Sequence, residues 1–172
     1  MITKHFSLNE SSKAQLLAPR EKLNFYDTQS ATLSREITAL EAWRIISSNP
    51  APLMKFAFRL RDRISGWFGI KPIKGFSGQL PENLRVGERL DFFMVEHLAP
   101  DILTLTARDK HLDVMTCITT DKTTLTVTSS VRTHNLLGRL YMIPVATAHR
   151  LIVRADLKRI KTQMDQNHNP LA

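Results

Sequence analysis

The sequence predicts an α+β fold in which a curved antiparallel sheet grips a long C-terminal helix. Residues 135–161 place apolar side chains at the three-and-four spacing of a single helix face. Residues 123–134 alternate apolar and polar side chains, as a strand with one buried face does. Further strand-like segments precede it, separated by short turns. A helix laid across a meander of strands buries both apolar surfaces, which favours this layout.

Length and composition predict one domain with its own core. The 172 residues are 42% hydrophobic and 23% charged, which is ordinary for a soluble globular chain. We expect the domain to cover residues 22–164. Residues 1–21 are read as an N-terminal extension with at most a short helix, and residues 165–172 as a frayed tail.

The net charge of +8 raises the question of an acidic partner. Few aromatic residues lie among the basic ones to stack on bases, so we expect no nucleic acid. A solvated helix face is the simplest interpretation, and attraction to an acidic partner or a membrane surface is the functional alternative. The basic residues form two rows, Lys55, Arg59, Arg61 and Arg63 in one helix and Arg150, Arg154, Lys158 and Lys161 in the last.

The chain carries features of a cytoplasmic protein. Its single cysteine, Cys117, excludes an internal disulfide, fits a reducing compartment and is expected to be a small core residue. No early segment has the pattern of a signal peptide, and no run approaches the length of a membrane span. We therefore expect a cytoplasmic location.

The N-terminal half predicts one strand followed by two shorter helices. Residues 23–33 have strand character. Either Ser34 or Thr38 would cap the first helix, Thr38 with Glu41 in a capping-box arrangement, and the helix would end at Ser48. Prolines 50 and 52 separate it from a second helix at residues 53–68, whose apolar side chains form one regular stripe.

The next strands predict the sheet. Residues 86–88 look like a turn that leads into a strand with apolar residues on both faces; Phe92 and Phe93 there make a homodimer plausible. A two-residue turn at Asp109 and Lys110 would pair Arg108 with His111. The resulting inner face comprises Leu103, Leu105, Ala107, Leu112, Val114 and Ile118.

Three stretches together resemble domain-of-unknown-function family 2867: residues 108–114, residues 133–141, and Ile143-Pro144 followed by residues 149–153. Residues 58–62 and the Phe-Gly-Ile-Lys that follows them fit its second-helix pattern, and the resemblance covers about residues 22–160. The family is similar to the START, or SRPBCC, superfamily, also called polyketide cyclase-like. That resemblance implies a helix-grip fold with a cavity between the sheet and the last helix. Where the family has proline and phenylalanine before the histidine of that helix, this chain has Thr147 and Ala148.

Pro144 is predicted to kink the last helix, because it cannot donate to the carbonyl of Leu140. If that carbonyl faced the sheet beside Tyr141, it would give an apolar cavity a polar anchor. The alternative is that the kink only fits the helix to the curvature of the sheet. Gly138 would allow close approach to another backbone, and Asn135 would cap the helix, with Arg139 paired to a nearby carboxylate.

Tyr141, His149 and Asp113 are the candidate catalytic residues. His149 could act as an acid or base, and a histidine satisfied by a backbone carbonyl is the structural alternative. Asp109, His111 and Asp113 alternate as metal ligands in a strand would, but the predicted turn removes Asp109 from their face. We expect no metal and no cofactor, because no phosphate loop, nucleophile elbow or zinc-spaced cysteine pair is present.

The preferred hypothesis is a protein that binds a small apolar molecule between the sheet and the last helix. One alternative is a cyclase- or hydrolase-like enzyme that uses the three candidate catalytic residues, and another is a basic interaction module. The residues expected to line the ligand site are Leu105, Val114, Val127, Ser129, Leu140, Tyr141, Pro144, Val145, Ala148 and His149.

Overall fold

A computed structural model describes residues 7–8, 13–48, 81 and 83–168. The predicted second helix at residues 53–68 lies outside these ranges. Within them the chain forms, in order, β1 (Ser7–Leu8), β2 (Gln15–Leu16), a 3-10 helix (Arg20–Lys22), β3 (Phe25–Thr32), α1 (Ala39–Ser48), β4 (Arg89–Leu90), β5 (Phe93–Ala99), β6 (Ile102–Arg108), β7 (Leu112–Asp121), β8 (Thr124–Thr133) and α2 (Leu136–His168).

The α+β prediction is confirmed by a curved six-stranded antiparallel sheet with the order β3-β8-β7-β6-β5-β4. Strands β5 to β8 form a meander, and β3 joins its far edge by pairing with β8 from Phe25↔Val131 to Thr32↔Thr124. A bulge between Val95 and His97 interrupts the pairing of β5 with β6, as bulges do where a sheet bends. The first strand of this sheet along the chain, β3, therefore lies beside its last strand, β8.

Helices α1 and α2 pack on one side of the sheet, which we call the inner face. Thr38 caps α1, because its Oγ1 accepts a hydrogen bond from the backbone N–H of Glu41 at 3.1 Å. Trp43 of α1 meets Phe93 edge to face, with 5.6 Å between ring centroids. Phe93 is buried, and Phe92 packs partly buried against the same cluster.

The opposite, outer face is covered in part by the N-terminal residues. Ala14 packs against Ile102 and Cys117, and the backbone N–H of Leu17 donates to Ser130 Oγ at 3.2 Å. This stretch forms the two-stranded β1–β2 pair and a 3-10 helix, where the sequence suggested a lead-in with at most a short helix. Its backbone donors reach polar atoms of the sheet, an interaction that local sequence does not reveal. Cys117 is buried there, as predicted.

The turn between β6 and β7 is longer than predicted. Arg108 pairs with Asp113 and not with His111, and Ala107 pairs with Val114. Asp109 causes the shift, because its Oδ1 accepts from the N–H groups of His111 and Leu112 at 2.7 and 2.9 Å. A shift of two residues in the pairing leaves every side chain on the same face of the sheet, so the residues predicted to form the inner face still form it.

The closing helix begins where the sequence predicts. Asn135 Oδ1 accepts from the N–H of Gly138 at 3.0 Å, and Gly138 lies directly against the carbonyl of His111. Arg139 is exposed and forms no ion pair with a described residue, which corrects the expected carboxylate partner. The helix continues as one element through Pro144 to His168.

The predicted single apolar stripe of α2 is wrong in its first half. Leu140 and Pro144 are exposed on the side away from the sheet, while Tyr141 and Val145 face it. The Leu140 carbonyl that Pro144 leaves without a helical partner therefore lies on the outward side, not over the sheet. Apolar residues occupy both sides of the helix here, so their spacing could not show which side is buried.

Candidate functional site

The site lies where the middle of α2 crosses the edge strand β3. The imidazole of His149 stands edge-on to the Phe25 ring, with 5.6 Å between centroids. The next residue, Arg150, places its guanidinium 5.2 Å from the centre of the same ring, and its Nε lies 3.6 Å from Asp27 Oδ1. Gln29 donates to the backbone carbonyl of Arg150 at 3.0 Å. Three inner-face residues of β3 therefore hold one turn of the helix.

A row of polar side chains crosses the inner face at this point. Asp27 pairs with Ser129 across β3 and β8, and Ser129 pairs with Thr116 across β8 and β7. Because paired residues project from the same side of an antiparallel sheet, all three point toward the helices. We call Asp27, Ser129 and Thr116 the polar row. It ends at Leu105, the partner of Thr116 on β6.

The polar row separates two apolar clusters. On one side, Phe25, Val131 and Met142 pack with Tyr141 and Val145 beneath the first half of α2. On the other side lies the main core, which joins α1, the far strands and the second half of α2. Clusters of buried apolar side chains in one domain usually merge, so a polar strip between them is a feature to explain.

Two buried polar atoms near this crossing have no hydrogen-bond partner among the described residues: Ser129 Oγ and His149 Nε2. Ser129 is only 2% exposed. Leaving a buried polar group unpaired costs on the order of 1–3 kcal/mol, because its hydrogen bond to water is lost and not replaced. Two such atoms, one on the sheet and one on α2, are therefore positions where a hydrogen bond to a polar group of a ligand would recover this free energy.

Burial lowers the pKa of His149 below its usual range, and Arg150 lowers it further, while the Asp27 carboxylate acts in the opposite direction. The imidazole is therefore neutral at pH 7. A neutral ring has one donor nitrogen and one acceptor nitrogen. His149 can accordingly donate a hydrogen bond to, or accept one from, an uncharged polar group of a ligand.

Beside α2 the inner face of the meander is only half-buried. Leu112, Val114 and Thr116 of β7 and Ala107 of β6 keep partial exposure, although β7 is an interior strand with neighbours on both sides. Apolar side chains of an interior strand are usually fully covered on a core face. The surface next to Tyr141 and Val145 is therefore apolar and accessible.

Of the residues predicted to line a ligand site, eight lie on the inner side and two do not. Leu105 and Val127 are buried within the main core. Leu140 and Pro144 lie on the outward side of α2 and are excluded from the site. Those that lie at or beside the crossing are Val114, Ser129, Tyr141, Val145, Ala148 and His149.

The three candidate catalytic residues are not brought together. Asp113 lies on the outer face, where its carboxylate is 3.2 Å from His134 Nε2 and 3.7 Å from Arg108. Tyr141 and His149 belong to the inner side. The sheet itself therefore separates Asp113 from them, because residues of opposite parity on a strand point to opposite faces.

The metal arrangement considered from sequence is also not formed. Asp109 belongs to the turn, where its Oδ1 accepts two backbone hydrogen bonds. Within residues 13–48 and 83–168, no group of three or more histidine, cysteine, aspartate or glutamate side chains is arranged to hold a metal ion.

Sequence reasoning missed Asp27, Thr116 and Phe25. Asp27 alternates with Phe25 and Gln29 along β3, but that strand read only as a mixture of polar and apolar residues. Its role depends on pairing with β8, more than a hundred residues later. The one local signal was Ser129, which interrupts the apolar alternation Leu125, Val127, Val131 on β8.

The structure thus defines an α+β protein with a six-stranded antiparallel sheet, a long C-terminal helix and a polar row between two apolar clusters. Comparison with known families places residues 20–156 within the model of DUF2867, a protein family of unknown function, so the chain belongs to that family. No curated protein and no solved structure matches the chain.

Proposed function

We propose that this protein binds a small, largely apolar molecule on the inner face, between the sheet and the first half of α2, and that Ser129 and His149 hold its polar group. The observation that supports this most is the pair of buried, unpartnered atoms, Ser129 Oγ and His149 Nε2, on an otherwise apolar surface. Ligand sites are typically apolar with a few convergent polar groups.

The arrangement agrees with the helix-grip architecture of START and SRPBCC proteins, in which a ligand lies between a sheet and the last helix. We extend that resemblance to this chain as part of the proposal, together with the cytoplasmic location expected from its lone buried cysteine. The enzyme hypothesis based on Tyr141, His149 and Asp113 has less support, because Asp113 is on the other side of the sheet.

Native mass spectrometry of the protein purified from cells tests the proposal directly. We expect a mass increment that is lost on denaturation and identifies a small molecule. The same measurement on Ser129→Ala should show a reduced bound fraction, since one hydrogen bond to a ligand is worth about a factor of five or more.

Ser130→Ala is the matched control. Ser130 is the next residue on β8 but points to the outer face, where its Oγ accepts from Leu17. The Ser130→Ala variant should therefore bind the ligand as the wild-type protein does. Loss of the mass increment in both variants, or in neither, would count against an anchor at Ser129, and its absence from wild-type protein would count against binding itself.

A further inference from the structure

The outward side of α2 changes character along the helix. Its first part exposes large apolar side chains, and its second part exposes basic ones. We call this strip the outward ridge; it comprises Leu136, Leu140, Ile143 and Leu151, followed by Arg154, Lys158 and Lys161.

The apolar part is unusually exposed. Leu136 and Ile143 are each 70% exposed, Leu140 is 54% exposed and Leu151 is 51% exposed. Single exposed apolar residues are common, but Leu136, Leu140 and Ile143 follow one another along one side of a helix, and Leu151 lies on the same side two turns further on, beyond Thr147. By length and composition α2 could cross a membrane, which corrects the expectation that no segment of the chain approaches a membrane span. Its other side packs on the sheet, however, and 22% of its most apolar stretch is buried inside the protein. The outward side of α2 can therefore contact a membrane surface, but the helix cannot span the membrane while it is packed on the sheet.

The basic part of the ridge consists of exposed side chains whose charges are not paired within the described part of the chain. Arg154, Lys158 and Lys161 are exposed and form no ion pair with any residue in the ranges that the structure describes. Arg150, by contrast, is engaged by Asp27. The three free cations lie on the same side of the helix as the apolar patch, because positions 140, 147, 154, 158 and 161 repeat at helical spacing.

We infer that the outward ridge docks on the surface of a membrane that contains anionic lipid. The apolar part would enter the boundary between headgroups and acyl chains, and the basic part would lie on lipid phosphates. Residues 136 to 161 extend over about 38 Å at 1.5 Å per residue, so both parts can touch one flat surface.

Charge and shape decide between a membrane and a second copy of this chain. A second copy would bring an equally basic ridge, whereas an anionic surface complements it. The four apolar residues also offer less area than the roughly 800 Å² per partner of a stable interface. A ridge on a single helix is convex, which suits insertion into a deformable surface better than recognition by a rigid one.

Co-sedimentation with lipid vesicles tests the inference. We expect the full chain to bind vesicles of phosphatidylcholine with one quarter phosphatidylglycerol at low salt and to bind pure phosphatidylcholine much more weakly. Arg154→Glu with Lys158→Glu should reduce binding by about 25-fold or more, since each basic residue near the surface contributes about fivefold. Leu140→Ser with Ile143→Ser should reduce it by about tenfold or more.

Arg85→Glu with Arg89→Glu is the matched control for charge. Both arginines are exposed, and Arg89 begins the strand at the opposite edge of the sheet. The control variant has the same net charge as Arg154→Glu with Lys158→Glu, so equal loss of binding in the two would show general charge attraction and overturn the ridge assignment.

Two further outcomes would also overturn the inference. One is wild-type protein that stays in solution with the anionic vesicles. The other is a stable dimer in sedimentation equilibrium that Leu140→Ser with Ile143→Ser converts to monomer, which would assign the ridge to a second copy. Circular dichroism of each variant confirms that it is folded before binding is compared, and no substituted side chain belongs to the buried core.

Discussion

Gly138, in the first turn of α2, lies against the backbone carbonyl of His111 so closely that a methyl group on its Cα would overlap the carbonyl oxygen. This contact joins the start of the closing helix to the β6–β7 turn, and the N–H of His134 donates to the same carbonyl at 2.8 Å. The position of the helix over the sheet therefore depends on a residue without a side chain.

Gly138→Ala should destabilise the protein by about 1–3 kcal/mol, because backbone atoms of the turn have to move. In an open helix the same change would stabilise by about 1 kcal/mol. Urea unfolding measures the difference. Thr147→Ala, at an exposed position of the same helix, is the control and should change stability by less than about 0.5 kcal/mol. A Gly138→Ala variant more stable than wild type would contradict the close contact.

Ser129→Ala and Ser130→Ala should have opposite effects on the ligand-free protein. Removal of the unpartnered Ser129 hydroxyl should stabilise it by about 1 kcal/mol, whereas removal of the Ser130 hydroxyl should cost about 1 kcal/mol because Leu17 N–H loses its acceptor. Free energies of unfolding from urea titration measure both. If Ser129→Ala proves as destabilising as Ser130→Ala, the Ser129 hydroxyl has a partner and the proposed anchor loses its support.

His149 should make the protein less stable in mild acid. Its pKa is lowered in the folded state, so below about pH 6.5 the unfolded chain binds a proton that the folded chain does not. The favourable contribution of neutral His149 is present above the unfolded pKa and is lost as the pH falls from there through the lower pKa of the folded state. His149→Gln should flatten the loss of stability between about pH 7 and pH 5, and NMR titration of the His149 ring protons should show the lowered pKa. Parallel stability curves for the two proteins would refute this.

Asp156 should have the opposite effect to His149 on how stability depends on pH. This carboxyl is 4% exposed, and burial raises its pKa from 3.8 to about 6 although Arg159, 3.1 Å away, lowers it. Between these values the folded chain binds the extra proton, so the contribution of Asp156 to stability is greatest below pH 3.8 and is lost as the pH rises through about 6.

Asp156→Asn should remove that part of the pH dependence. Midpoints of urea unfolding, compared at intervals between about pH 3.8 and pH 6, measure this loss of pH dependence. Asp165→Asn, at an exposed position further along the same helix, is the control. A wild-type curve no steeper than that of Asp156→Asn would show that the buried carboxyl titrates normally.

Cys117 should report how firmly the N-terminal strand covers the outer face. Its thiol is buried, burial raises its pKa, and the backbone N–H of Gln15 donates to its sulfur at 3.3 Å. Gln15→Pro removes that donor and should speed labelling by a thiol reagent about fivefold or more. Gln15→Ala keeps the N–H and should label at the wild-type rate. Equal rates in all three proteins would mean that the sulfur becomes exposed by a different motion.

The sequence by itself determined that a meander of antiparallel strands is followed by a long closing helix, and on which side of the sheet the apolar residues of β6 to β8 lie. Alternation placed Leu103, Leu105, Ala107 and Val114 on one face, and this survived an error of two residues in the β6–β7 turn, because side chains on a strand alternate with a period of two. The cap at Asn135 was likewise a local feature, set by the chemistry of a helix start, whereas the backbone that Gly138 approaches belongs to the distant β6–β7 turn.

Only the tertiary structure decided which side of α2 is buried and which residues form the site. The first half of that helix carries apolar side chains on nearly all sides, so their spacing does not predict which side is buried. In the structure Tyr141 and Val145 pack against β3 and β8, and Leu140 is exposed on the opposite side. The meeting of Asp27, Ser129 and Thr116 under His149 likewise follows from strand pairings across long sequence separations. Local periodicity contains no information about such pairings, because they are fixed by which surfaces bury each other when the whole chain folds.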